Sequence, residues 1–185
     1  MEMNFLKVDS CVDLEKINLS HAFLLFEAVE ENRNFLSKWL LLPTELKTQE
    51  DSVEFIRAVL KDSKEKGDYV FVIWYRKQFS GLISLKENDF LNKRAEIGYW
   101  LTEKMTGKGI VTKSVKVLSK YLFMLMDVNR IEIRCAVGNS ESSDIPKRLG
   151  FTFEGVEREG EKHINSYMDM EVYSFLKKDK NHLLK

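Results

Sequence analysis

The stretch from Arg94 to Leu125 constrains this chain most, because its period changes within a few residues. Arg94–Leu101 reads as a strand. Val111, Val115, Leu118, Leu122 and Leu125 then recur at the spacing of an amphipathic helix. Gly107-Lys108-Gly109 lies between them. A helix start has unpaired N–H groups and a positive dipole end, so it can hold an anion. Glycines let backbone approach a ligand closely and adopt positive φ. Lys108 and Lys113 add charge that can complement phosphate oxygens. The third glycine of a dinucleotide fingerprint is missing. The Gly-Lys-Ser/Thr ending of a P-loop is also missing. Taken alone, Gly-x-Gly equally fits an ordinary strand-to-helix turn.

The flanking segments predict the rest of the fold. Residues 3–8 suit a short strand. Ser20–Leu42 has a helical pattern with a break near Glu31–Asn34, and Phe26, Val29, Phe35, Leu36, Trp39 and Leu40 are its core candidates. Thr48-Gln49-Glu50-Asp51 is a capping box with aspartate in place of glutamate, followed by Val53, Ile56 and Leu60 at helical spacing. Tyr69–Tyr75 is aromatic and β-branched, as strands are. A turn at Arg76–Gln78 leads to a strand over Phe79–Leu85. Arg130–Val137 is a strand, Ser142–Leu149 a helix closed by Gly150, and Phe151–Arg158 and Tyr167–Phe175 two final strands. The expected order is β-α-α-β-β-β-α-β-α-β-β, a mixed, mostly antiparallel α/β sheet flanked by helices in one domain over 1–185.

Lysine plus arginine equals aspartate plus glutamate at 29 each, which argues against general nucleic-acid or membrane-surface binding. No apolar run approaches the roughly 18 residues a membrane span needs, and no signal peptide opens the chain. A cytoplasmic protein is the expectation. Two distant cysteines, Cys11 and Cys135, make no CxxC pair, and His21, His163 and His182 form no local metal motif, so no metal is expected. Cys135 alternates with Ile131, Ile133 and Val137 as a buried strand thiol would.

With these features in place, the chain resembles the GCN5-related N-acetyltransferases, and within them the RimL/RimJ-like ribosomal-protein branch. The resemblance runs from Trp39 to Leu176. It rests on Ala95-Glu96-Ile97-Gly98-Tyr99-Trp100-Leu101, on Asn139-x-x-Ser142-x-x-Ile145-x-x-x-Leu149-Gly150-Phe151 with Glu154-Gly155, and on Tyr167-Met168-Asp169-Met170-Glu171-Val172-Tyr173. The family's phosphate-loop pattern falls on Thr106-Gly107-Lys108-Gly109-Ile110-Val111. Thr106 departs from the usual glutamine or arginine, and Val111 from the usual small residue.

The resemblance implies acetyl-CoA as co-substrate. Its pantetheine arm would lie along Tyr99, Trp100 and Leu101, its diphosphate on backbone N–H groups from Gly107 to Thr112, and Asn139 would bond the arm. Ser142 would protonate the leaving thiolate, because Pro146 fills the place where many relatives carry a tyrosine. Ser142 equally reads as the N-cap of the short helix, and Asn139 as a turn residue. Glu161 would act as base through water, with Glu96 a second candidate. Each also reads as an ordinary surface or paired charge. Phe35, Trp39 and the 160–166 loop would wall the acceptor slot, although Trp39 also reads as core. The implied acceptor is a protein N-terminus, such as a ribosomal protein. Alternatives are a small amine (polyamine or aminoglycoside) or a coenzyme A-binding module without turnover. Phe123-Met124-Leu125-Met126 is apolar enough to suggest a homodimer.

Overall fold

A computed structural model describes residues 4–182, with only backbone for 87, 88 and 180–182. The elements are β1 (Phe5–Lys7), β2 (Val12–Lys16), α1 (Ala22–Glu31), α2 (Arg33–Leu36), α3 (Leu42–Glu45), α4 (Gln49–Glu65), β3 (Tyr69–Tyr75), β4 (Gln78–Asp89), β5 (Arg94–Leu101), α5 (Ile110–Leu125), β6 (Arg130–Ala136), α6 (Ser140–Leu149), β7 (Thr152–His163) and β8 (Ser166–Leu176). Three 3-10 turns, Leu19–His21, Glu103–Met105 and Lys177–His182, complete the order. The strands follow the order β1-β2-β3-β4-β5-β6-β8-β7 in a mixed, mostly antiparallel sheet, with β5 and β6 parallel. The chain divides into two compact units: Met1–Ser84 with Tyr99–Ile110, and Leu85–Gly98 with Val111–Lys185.

In the first unit the expected break of the early helix is real, because α1 ends at Glu31 and α2 begins at Arg33. The core here is Ile17, Leu25, Val29, Leu36, Leu46, Ile56, Val72 and Leu82, with Phe35 packed against it. Each such aliphatic side chain contributes about 1.5–3 kcal/mol when fully buried. Leu25, not the expected Phe26, is the fully buried residue on that turn of α1. The Thr48 capping box forms as expected: Thr48 Oγ1 accepts the Asp51 N–H at 3.2 Å, and Asp51 Oδ2 accepts the Thr48 N–H at 2.8 Å. Met3, first residue of the expected opening strand, lies outside the described residues. Strand β2 was not expected. It forms because Asp9 Oδ1 accepts the N–H groups of Cys11 (2.7 Å) and Val12 (2.8 Å), which folds β1 back on β2. The β3–β4 turn is tighter than expected, with Arg76 and Lys77 both at positive φ and Gln78 already in β4. Gly81, on β4, has φ +149°, and a Cβ there would collide with the Trp100 carbonyl oxygen and stand 2.8 Å from Leu101 Cα.

In the second unit β6 has two unlike faces. Ile131, Ile133 and Cys135 are buried with Val115, Leu118, Leu122, Tyr173 and Phe175. Phe175 packs against Phe123 and Phe151 at centroid distances of 6.0 and 5.2 Å. Val137 is exposed, so the buried alternation ends one step before its expected limit. Leu125 is 64% exposed, so the buried stripe of α5 stops at Leu122 and Phe123. The other face of β6 is ionic. Arg130 bonds Glu132 (2.7 Å) and Glu154 (2.7 Å), Arg134 lies 3.8 Å from Glu96, and Arg134 also pairs with Glu157.

Candidate active site

The first unit contributes the end of β5 and the loop after it. Thr102 N–H donates to the Ser80 carbonyl at 2.9 Å, tying that end of the strand to β4. The Trp100 side chain belongs to the core and faces Phe79 at 6.3 Å. The Glu103–Met105 turn follows. The Glu103 carbonyl accepts both the Thr106 N–H (3.2 Å) and Thr106 Oγ1–H (2.9 Å). Thr106 thus serves the turn, which accounts for threonine where the resembled family carries a longer side chain. Gly107 and Gly109 both have φ +71°, where an L side chain is strained, and an added Cβ would meet open space at either. Ile110 then opens α5. Positive-φ glycines leading into a helix are backbone of a kind that can hold an anion. Lys108 is exposed and has partners within the chain. Its ammonium donates to the Lys104 carbonyl at 2.6 Å and lies 5.6 Å from the Tyr75 ring centroid.

The second unit contributes the starts of α5 and α6. Val111 is buried, and Thr112 Oγ1 accepts from Arg148 Nη2 at 3.3 Å. Arg148 is exposed near the first turn of α5, and no motif in the sequence pointed to it. The expected start of α6 is corrected. The helix begins at Ser140, and its N-cap is Asn139, whose Oδ1 accepts the Ser142 N–H at 3.2 Å. Ser142 is therefore not the cap, and its hydroxyl lies 3.3 Å from Cys135 Sγ. Cys135 is 2% exposed. Beside it, Tyr173 donates to Glu171 at 2.6 Å, and burial first, then that carboxylate, pushes the phenol above its ordinary range.

The two base candidates differ. Glu96 is half-buried against Arg134. Glu161 is exposed on β7, paired with Met168 just past an irregularity that starts at Glu157. Of the acceptor candidates, Phe35 is half-buried against the first unit's core, and Trp39 is half-buried in the turn after α2, its N–H on the Leu36 carbonyl at 3.0 Å.

Strand β5, its glycine turn and the Asn139-capped start of α6 hold the motifs on which the family resemblance rests. The acetyltransferase (GNAT) domain model matches residues 12–152, and the chain belongs to that family. It is an N-acetyltransferase with acetyl-CoA as co-substrate. One relative is YdaF of Bacillus subtilis (strain 168), provisionally named a ribosomal N-acetyltransferase. It is 31% identical over 176 residues, covering 94% of this chain and 95% of YdaF. Among solved structures, RimL, a ribosomal α-N-protein acetyltransferase in complex with coenzyme A, superposes with TM-score 0.88 at 26% identity, covering 93% and 97% of the two chains. The microcin C7 self-immunity acetyltransferase MccE, in complex with acetyl-CoA and AMP, does so with TM-score 0.88 at 30% identity, covering 95% and 97%. Among the described residues no helix is long and apolar enough to cross a membrane.

Proposed function

We propose that this enzyme acetylates the α-amine at a protein N-terminus, with a ribosomal protein as the acceptor class. The observation that carries the reading is the likeness to RimL over nearly the full length of both chains. The chemistry suits it. The attacking amine must be neutral, and an α-amine with a pKa of about 7.7–8.0 sheds its proton near neutrality far more readily than a lysine at about 10.4. MccE has the same TM-score, so the fold by itself leaves the acceptor open.

In this reading, the first unit's Gly107–Ile110 segment takes the diphosphate and its Tyr99–Leu101 strand takes the pantetheine arm. The Trp100 carbonyl is turned toward Gly81. Strand alternation then directs the backbone groups of Tyr99 and Leu101 to the opposite edge, where an arm could pair with them. In the second unit, Arg148 sets a cation against Thr112 at the first turn of α5. Ser142 protonates the departing thiolate, and Asn139 orients the turn that carries it. Glu161 takes the amine proton through water. It is preferred to Glu96, whose half-buried carboxylate is already taken up by Arg134 at 3.8 Å. Phe35 and Trp39 wall the acceptor side. Met124 is 71% exposed beside Leu125 at the end of α5, which supports a homodimer, to be checked by light-scattering mass.

Two measurements test the reading. Ribosomal N-terminal peptides and a panel of polyamines and aminoglycosides, each incubated with acetyl-CoA, should yield one acetyl group on the first residue of a peptide by mass spectrometry. Turnover of small amines alone would overturn the protein-directed reading. Ser142→Ala should lower kcat by about 10²-fold, the lower range for a positioned proton donor, while coenzyme A affinity measured by calorimetry stays near wild type. Wild-type turnover in that variant would remove its role.

A further inference from the structure

Asn32 stands at the break between α1 and α2, 9% exposed, with all four of its polar groups engaged. Its N–H donates to the Val29 carbonyl (3.2 Å), and its carbonyl accepts the Leu36 N–H (2.9 Å). Its side-chain Nδ2 donates to the Ala28 carbonyl (2.8 Å) at the end of α1. Its Oδ1 accepts the backbone N–H of Glu103 (2.9 Å), 71 residues further along the chain. One partner is a carbonyl and the other an N–H, so only one orientation of the amide serves both. Aspartate, alanine or serine cannot replace it in both roles.

The bond reaches beyond the helix end. Glu103 opens the 3-10 turn, and its carbonyl receives both bonds from Thr106, the residue before Gly107. A continuous run of hydrogen bonds and backbone therefore joins the end of α1 to Gly107. On the other side, Arg33 donates to the carbonyls of Pro43 and Leu46, the latter at 2.8 Å, and braces the segment that follows α2.

We propose that Asn32 is a positioning residue for the acetyl-CoA loop, and the joint through which loading of that loop stiffens the α1–α2 segment carrying Phe35 and Trp39. The inference rests on the reading above, in which the loop takes the diphosphate and that segment walls the acceptor. Cofactor binding would then prepare the acceptor side.

The test uses the full chain and coenzyme A as probe. Asn32→Ala removes both side-chain bonds. Glu103→Pro deletes only the N–H that Oδ1 accepts. Proline is tolerated at the first position of a turn, and Thr102 before it (φ −64°, ψ 147°) already has the extended backbone that a following proline demands. Each variant should weaken coenzyme A binding about tenfold by calorimetry, as loss of one buried hydrogen bond would, and the double variant should be no weaker than either single. In wild type, coenzyme A should slow amide exchange across residues 33–39, and in all three variants that slowing should vanish. A residue that only caps α1 would lower Tm in Asn32→Ala yet leave coenzyme A affinity and the exchange response unmoved. That result, or additive effects in the double variant, would overturn the inference while leaving the loop reading intact. No binding by wild type would overturn both. Should Asn32→Ala fail to fold, Glu103→Pro with the exchange readout decides alone.

Discussion

Helices α5 and α6 start in opposite ways. Asn139 caps α6 with its own side chain, filling the Ser142 N–H, and its carbonyl accepts the Ser143 N–H at 3.0 Å. Helix α5 is entered through Gly109, which brings no side chain to compete for the donors of the first turn. A filled helix start serves as a rigid post for a side chain, here the Ser142 hydroxyl. A helix start entered through glycine has no capping side chain of its own and can turn toward a ligand. The residue just before the helix, more than the helix itself, decides between the two uses.

Exchanging the two solutions should break the distinction. Gly109→Asp supplies a capping carboxylate and places negative charge at the proposed diphosphate site. It should weaken coenzyme A binding by about tenfold through charge repulsion, while strain at positive φ lowers the stability of the fold in free and bound states alike. Calorimetry measures this, and unchanged affinity would refute the contrast. Asn139→Ala should cost about 1 kcal/mol of stability through loss of the cap, seen as a shift in urea midpoint at constant slope, with turnover falling because Ser142 loses its post.

The smallest effect is a control drawn from neither helix start. Two bonds from Arg130, then one from the Ser174 hydroxyl, hold the Glu154 carboxyl down at about 2. A depressed carboxylate contributes stability that is complete above its unfolded pKa of 4.5 and is lost as pH falls toward 2. Glu154 is partly exposed, so the contribution should be about 1 kcal/mol or less. Glu154→Gln should flatten the stability profile between pH 4.5 and 2, while leaving the Gly109 and Asn139 effects at neutral pH untouched.

Much of the fold was legible because it rests on local pattern. Strands β3 and β5, the Thr48 capping box and the end of α6 at Gly150 fall where residue type and spacing put them. Features that depend on side chains meeting across distant sequence were not legible. Strand β2 needs the Asp9 turn, and Val137 and Leu125 leave the core at positions no periodicity marks. The same divide runs through the site. The positive φ of Gly107 and Gly109 was readable, because it is a local demand. The contact of Arg148 with Thr112 and the tie from Asn32 to Glu103 depend on tertiary neighbours that a string of residues does not announce. Thr106 departs from the resembled motif, and only the fold brings its hydroxyl onto the Glu103 carbonyl.

Gly81 carries a longer consequence. The strand end assigned to the thioester lies so close to β4 that even one methyl group at position 81 would push the two backbones apart. A side chain at position 81 would therefore shift Trp100 and Leu101 away from β4, whatever ligand that strand end receives.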